Sequence, residues 1–183
     1  MRLSNDQYEF IKGEVIALFE QYDVKCIPIS GFELAAKMGI TLIPYSSLSS
    51  TKRKAAMRTS QDGFFVERTD GKDVIFFNDK KNYRRINITI LHEIAHCVLD
   101  HRKGTDEEEA EAKFFAKYAS APPPLIHKIK PYTPEDIQIA FDLSYEASSY
   151  AFDYYWKWLH HQTISSIRYT DYEQRLLNLF VSA

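Results

Sequence analysis

The chain has 183 residues, of which 45% are hydrophobic and 26% charged, and its formal net charge is −2. This composition is ordinary for a globular protein, and the length suffices for one domain, or one domain with a helical extension, to bury its own core. The small net charge argues against a nucleic-acid binder that depends on bulk electrostatics. No apolar run approaches the length of a membrane span, and Met1–Ile11 is polar, so we expect a cytoplasmic protein without a signal peptide.

The first half of the chain predicts two helices followed by three strands. Apolar residues recur at helical spacing over residues 5–22, and Phe32–Met38 predicts a second helix that Gly39 ends. The predicted strands are Ile40–Tyr45, Gly63–Val66 and Val74–Phe77. We expect the turn Thr69–Lys72 to join the last two strands, and Ser46–Gln61 to form an exposed loop or a short helix.

Helices predominate in the second half. Apolar spacing predicts one helix at about Arg85–Leu99 and another that begins near Thr105 or Asp106 and ends at Ser120, before the prolines Pro122–Pro124. From Thr133 onward the pattern is helical again, and Ser144–Leu159 predicts a helix rich in aromatic residues. Aromatic stripes at helical spacing are typical of a core or an interface rather than of a cofactor site.

Residues 92–96 read His-Glu-Ile-Ala-His, a pattern with a specific chemical meaning. On a helix, His92 and His96 project from the same face, where their nitrogens can share one Zn²⁺ while Glu93 acts as a general base on the attacking water. A shuffled chain of this composition would contain the pattern about 0.014 times, so chance is a poor explanation. The alternative interpretation is a helix that carries these residues for packing or solvation.

The residues around this motif are apolar and favour the metal site. The apolar positions are Ile90, Leu91, Ile94, Val98 and Leu99, at spacings typical of a buried helix. Two histidines and a glutamate in such a helix would be costly to bury without partners, and a bound cation supplies one. Ala95 is small enough for another helix to approach this helix closely.

A catalytic zinc site needs three protein ligands and a water, so the motif predicts a third ligand elsewhere. His101 is the nearest histidine, but on a continuous helix a residue five positions beyond His96 points well away from the first two. The metzincin pattern also fails, because it requires Gly and His where this chain has Leu99 and Arg102. We therefore expect His101 to support a ligand or to lie at the end of the helix.

Acidic residues at the start of the following helix are better candidates for the third ligand. They are Glu107, Glu108, Glu109 and Glu111. Most acids at a helix N-terminus complement its dipole. We favour Glu109 because its face continues with the small residues Ala112, Ala116 and Ala119, which permit close helix approach. Glu108, in line with Phe115, is the second choice, and Glu111 falls beside Phe115 and Tyr118.

Three stretches between Ile40 and Ala151 share a pattern with a known family. They are Phe77–His96, Glu109–Ala116 followed by Pro122 (similar to ExEANxFAxxLLxP), and, more loosely, Pro134–Ala147. With these stretches the chain resembles the ImmA/IrrE family of zinc metallopeptidases, a gluzincin-like group found on phages, mobile elements and bacterial chromosomes. The chain departs from the family pattern in two places: Lys113 stands where the family usually has Asn, and Ala119-Ser120-Ala121-Pro122 stands where the family has LLMP.

The resemblance implies roles for individual residues. Carried over by position, it makes His92, His96 and Glu109 the zinc ligands and Glu93 the general base, in agreement with the separate argument from the helix face. Zn²⁺ lowers the pKa of water from about 15.7 to roughly 7, and Glu93 would take the proton and pass it to the leaving amine. His127 and several tyrosines are the candidates for stabilising the oxyanion.

The resemblance also implies the fold. We expect an α+β protein: a mostly helical zincin-like domain with a small three-stranded β-sheet and C-terminal helices. One metallopeptidase domain would cover residues 1–183, with a core at about 40–121 and a helical C-terminal part at about 133–181.

The function implied is zinc-dependent cleavage of a protein substrate. Family members are associated with cleaving helix-turn-helix repressors, which would induce mobile-element or stress genes, and we expect no direct contact with nucleic acid or a membrane. The alternative is a non-proteolytic regulatory or interaction protein that has a structural zinc site and binds a partner through its aromatic helices. Glu93 favours the enzyme, because a structural site has no use for a general base.

Overall fold

The computed structural model describes residues 2–69, 71–161 and 167–181, and most of these residues are helical. In chain order the elements are α1 (Asn5–Gln21), α2 (Gly31–Lys37), β1 (Thr41–Pro44), α3 (Ser50–Thr59), β2 (Gly63–Val66), β3 (Val74–Phe77), α4 (Tyr83–Val98), α5 (Asp106–Ser120), α6 (Pro123–Ile129), α7 (Pro134–Phe141), α8 (Tyr145–His160) and α9 (Asp171–Val181). The fold is α+β and mostly helical with a small three-stranded sheet, as predicted. Among the helices that the structure describes, none has both the length and the apolar character that a membrane crossing requires.

The sheet is mixed and has the strand order β1-β3-β2. β1 runs parallel to β3, whereas β2 runs antiparallel to it and places Gly63 opposite Phe77. The central strand β3 is the most buried of the three, and β2 lies at an edge of the sheet. The turn predicted at Thr69–Lys72 includes Asp70, which lies outside the described residues.

The chain forms two compact units, and the division falls inside α5. The first unit contains Met1–Leu3 and Ser30–Ala116, and the second contains Ser4–Ile29 and Lys117–Ala183. The first unit therefore holds the whole sheet and the helix that carries the His-Glu-Ile-Ala-His motif. The expectation of one domain over residues 1–183, with its core and C-terminal bounds, stays a prediction.

Helix α4 is the centre of the first unit and packs against α2, β2 and β3. Its apolar face is fully buried at Ile90, Leu91 and Ile94. The side chain of Asn82 caps its first turn by accepting a hydrogen bond from the Arg85 amide at 2.9 Å. These contacts fix the rotation of α4 about its own axis, and hence the direction in which the motif's side chains project.

Strand β2 approaches α4 so closely that only glycine fits at position 63. A Cβ atom there would lie 2.7 Å from Thr89 Cγ2 and 2.8 Å from the Phe76 carbonyl oxygen. Gly63→Ala should therefore lower the free energy of unfolding by about 1–3 kcal/mol, because backbone must shift to relieve the overlap. Denaturant unfolding measures this loss.

A matched glycine provides the control for this prediction. Gly13 lies inside α1, and a Cβ added there would meet no atom of the described residues within 4 Å. Gly13→Ala should stabilise the protein by about 0.5–1 kcal/mol through the higher helix propensity of alanine. Equal stability of the wild type and the Gly63→Ala variant would contradict the close approach of β2 and α4.

The second unit is helical throughout its described elements. α1 packs against α9, with the rings of Phe19 and Phe180 6.5 Å apart, and α8 packs against α6 and α7. The Trp158 indole N–H donates to Glu173 Oε1 at 2.7 Å, which gives this buried carboxylate a partner. Trp158 and the buried Tyr155 of α8 thus contribute to packing, as the aromatic spacing indicates, whereas Tyr150 is 40% exposed.

Two helices, α3 and α6, give more detail than the sequence predicts. The segment Ser46–Gln61, predicted as a loop or a short helix, contains α3, whose first turn is capped by Ser49. The prolines expected to end a helix also begin the next one: Pro122 is the N-cap of α6, and Pro123 and Pro124 occupy its first positions. Proline is tolerated there because the first helical N–H groups have no intrahelical acceptor.

Candidate metal centre

Helix α4 brings the two histidines of the motif together on one face. His92 Nε2 and His96 Nε2 lie 3.2 Å apart, and both side chains are largely buried. Burial lowers the pKa of His92, with a further contribution from the neighbouring His96, and burial also lowers the pKa of His96. Both imidazoles are therefore neutral near pH 7 and have a lone pair to offer a cation.

Glu109 completes a group of three donors from the first turn of α5. Its carboxylate oxygens lie 3.6 Å from His92 Nε2 and 3.5 Å from His96 Nε2. In the part of the chain that the structure describes, this is the one group of three or more histidine, cysteine or carboxylate side chains arranged to hold a metal ion. The structure thus brings together the three residues expected as ligands, and their role as ligands stays a prediction.

The geometry of these donors suits a tetrahedral metal ion. Two imidazole nitrogens and one carboxylate oxygen form the donor set of catalytic zinc sites, in which water takes the fourth position. With metal–ligand bonds of roughly 2.0–2.1 Å, tetrahedral donor atoms lie roughly 3.3–3.4 Å apart. The Nε2–Nε2 separation of 3.2 Å is close to that distance, and Glu109 brings Oε2 within 3.6 Å of His92 Nε2 and Oε1 within 3.5 Å of His96 Nε2, so the residues fit such an ion.

Two of the other acidic candidates, Glu108 and Glu111, have different partners. Glu108 forms a capping box with Thr105: its Oε2 accepts from the Thr105 amide at 3.0 Å, and Thr105 Oγ1 accepts from the Glu108 amide at 3.2 Å. Its Oε1 also accepts from the Arg102 amide at 3.0 Å. Glu111 Oε2 lies 3.0 Å from His101 Nε2. Neither residue belongs to the three-donor group.

Glu93 is buried beside these donors, with 7% of its surface exposed. Its Oε2 accepts a hydrogen bond from the backbone N–H of Phe65, on the edge strand β2, at 2.9 Å. Burial raises the pKa of the Glu93 carboxyl to about 7, although the Phe65 hydrogen bond acts in the opposite direction. A carboxyl group with a pKa near the working pH is well suited to accept and return a proton.

Nothing in the sequence indicates the contact between Glu93 and Phe65. Phe65 takes part through its backbone amide, so its residue type says nothing about the interaction, and the contact depends on β2 lying at the sheet edge next to α4. His127, a candidate for stabilising the oxyanion, lies in the second unit, where its Nδ1 is 2.9 Å from Tyr155 Oη.

The donors and Glu93 open into a cleft of about 650 Å³ within the first unit. Residues of β2, α4 and α5 form its walls, and its lining includes three cationic side chains: Arg85, Arg102 and Lys113. Lys113, which stands where the resembled family usually has Asn, is exposed and places its Nζ 3.8 Å from Glu109 Oε2. The Glu109 side chain is 44% exposed, so solvent reaches the donor group through the cleft.

Comparison with known proteins identifies the family. None of the curated proteins searched matches the chain. The peptidase family described as the IrrE N-terminal-like domain (Peptidase_M78) matches residues 36–153, which make up more than half of the chain and contain the histidine motif and Glu109. This match confirms the resemblance seen in the sequence and supports a metallopeptidase-like role. The chain belongs to the ImmA/IrrE family of peptidases.

Proposed function

We propose that the protein is a zinc-dependent endopeptidase that acts in the cytoplasm and cleaves a helix-turn-helix transcriptional repressor, thereby inducing mobile-element or stress genes. One observation carries the enzymatic part: the donors of His92, His96 and Glu109 converge beside the buried carboxylate of Glu93. Membership of the peptidase family supports the same reaction class. The repressor as substrate rests on the family resemblance.

The side chains around the cleft have distinct tasks in this proposal. His92, His96 and Glu109 would hold zinc, which when bound lowers the pKa of a water molecule and polarises the scissile carbonyl group. Glu93 would accept a proton from the attacking water and later deliver it to the leaving amine. The Phe65 N–H holds Glu93 Oε2 in place, which leaves Oε1 to receive the proton.

The open cleft favours an enzyme over a protein with a structural zinc site. Structural sites have four protein ligands in a closed tetrahedron, whereas catalytic sites have three and keep one position open. The described residues supply three donors here, and the cleft of about 650 Å³ lies in front of them. A buried carboxylate beside three donors also has a use in hydrolysis and none in a closed structural site.

Zinc binding is the first expected result. Purified wild-type protein should hold about one zinc ion, and His92→Ala should remove it, because two remaining donors hold a divalent ion far more weakly than three. Elemental analysis of the as-purified proteins measures the content. A wild-type protein without metal that also takes up no added zinc would refute the site.

Loss of a repressor inside cells tests the substrate. The substrate should be a helix-turn-helix repressor encoded near the protein's gene. The two should be co-expressed and the repressor followed by immunoblot. We expect one or a few fragments with the wild type and intact repressor with His92→Ala, since general digestion would harm the cell. A repressor that binds the protein but stays intact under inducing conditions would favour the alternative, a non-proteolytic regulatory protein.

A further inference from the structure

A second histidine lies directly behind the proposed ligand His96. His101 Nδ1 is 3.0 Å from His96 Nδ1, and His101 Nε2 is 3.0 Å from Glu111 Oε2. The His101 side chain is 6% exposed and that of Glu111 is 19% exposed, so water has little access to either contact. The three side chains form a continuous chain of hydrogen bonds that ends at His96, on the side of the ring opposite the other donors.

The end of helix α4 explains how His101 reaches this position. α4 ends at Val98, and Asp100 adopts the left-handed conformation with φ 52°. The His101 N–H then bonds to the His96 carbonyl at 3.0 Å, and the Asp100 N–H to the Cys97 carbonyl at 3.3 Å. This pair of bonds is a Schellman motif, which turns the chain back over the last helical turn. His101 therefore folds onto His96 instead of pointing away, as it would on a continuous helix.

The two contacts fit one arrangement of protons in which His96 can bind a metal. A hydrogen bond between two Nδ1 atoms needs one proton, and His96 must carry it if its Nε2 lone pair is to face a metal. His101 Nδ1 then accepts, so the His101 proton is on Nε2, where it is donated to the Glu111 carboxylate. If His101 Nδ1 donated to His96 Nδ1 instead, a His101 lone pair would face the Glu111 carboxylate and the His96 proton would lie on Nε2.

We propose that His101 and Glu111 are positioning residues that hold His96 in the tautomer and orientation needed to bind zinc. This inference rests on the proposed function, since it assigns His96 as a ligand. Metal-binding histidines generally donate their second N–H to a fixed acceptor, which orients the ring and increases its basicity. Here a second histidine is that acceptor, and the Glu111 carboxylate, ten residues further along the chain, in turn orients this second histidine.

Zinc affinity of two His101 variants tests the proposal. His101→Phe fills the space but accepts no hydrogen bond. Competition with a chromogenic chelator should therefore give a zinc dissociation constant about 10- to 100-fold higher than that of the wild type. His101→Asn keeps an acceptor near the Nδ1 position and should recover part of this loss. His160→Phe, at the exposed end of α8, is the matched control and should change affinity by no more than about twofold. Unchanged affinity in His101→Phe would overturn the proposal.

Imidazole ¹⁵N spectra of the zinc-loaded wild type give a test that needs no variant to fold. His96 should show a protonated Nδ1 and a metal-bound Nε2, and His101 a protonated Nε2 with a bare Nδ1. A His101 that carries a proton on Nδ1 would overturn the proposal. Tight zinc binding with unaffected His101 variants refutes this inference alone, whereas a wild type that binds no zinc refutes the proposed function and this inference together.

Discussion

Glu93→Gln should reduce peptide cleavage by about 10²-fold or more while zinc binding is retained. The glutamine oxygen can still accept the Phe65 N–H, so the side chain keeps its place against β2. Its amide nitrogen cannot take a proton from water, so the general base is lost without loss of a proposed ligand. Cleavage of the purified repressor and elemental analysis of the same preparation measure the two effects separately.

An exposed glutamate supplies the control for this substitution. Glu135 lies in the first turn of α7, away from the three donors in the chain, and its side chain is exposed. Glu135→Gln changes the charge by the same amount and should cleave at the wild-type rate. Equal cleavage by wild type and Glu93→Gln would show that hydrolysis does not depend on this carboxylate and would refute the proposed mechanism.

The arrangement of the motif could be predicted from the sequence because a regular helix determines it. Residues four apart on α4 face the same way whatever surrounds the helix, so His92 and His96 were expected to meet, and their Nε2 atoms lie 3.2 Å apart. The same reasoning placed Glu109 on the face of α5 that carries small residues. In both cases local periodicity fixes which side chains share a face of the helix, while the packing of the helix fixes where that face points.

His101 shows where such reasoning ends. Its direction depends on the residue at which α4 ends, and that end is set by a non-glycine residue, Asp100, in the left-handed conformation. Aspartate tolerates this conformation better than most residues, but far less readily than glycine, so the sequence carries only a weak signal for the turn. The chain reversal that brings His101 against His96 could therefore not be predicted from spacing.

The order of the strands is a second feature that the sequence does not determine. Three short apolar segments predict strands, but nothing in them indicates that β3 lies between β1 and β2. That order places β2 at the edge beside α4 and gives Glu93 its backbone partner at Phe65. The environment of the general base thus depends on tertiary packing, whereas its position in the motif does not.

Loss of a hydrogen-bond partner of a metal ligand typically weakens metal affinity by about 10- to 100-fold. Glu109→Ala should weaken zinc affinity by more than this. The substitution removes one of three donors, because the Glu109 carboxylate lies 3.5–3.6 Å from both histidine nitrogens. Chelator competition measures the affinity, and thermal unfolding of the metal-free protein shows whether the fold is retained.

The neighbouring acids make this comparison decisive, because each has a different structural task. Glu108→Ala should leave zinc affinity nearly unchanged and lower thermal stability, since Glu108 caps α5 through the Arg102 and Thr105 amides. The zinc affinity of Glu111→Ala should fall between those of the other two variants, because Glu111 acts on His96 only through His101.

If Glu108→Ala instead caused the largest loss of zinc, α5 would be rotated by about one residue from the observed position, and Glu109 would be a capping acid. The ranking of the three variants thus distinguishes a ligand, a positioning residue and a helix cap on a single helical turn.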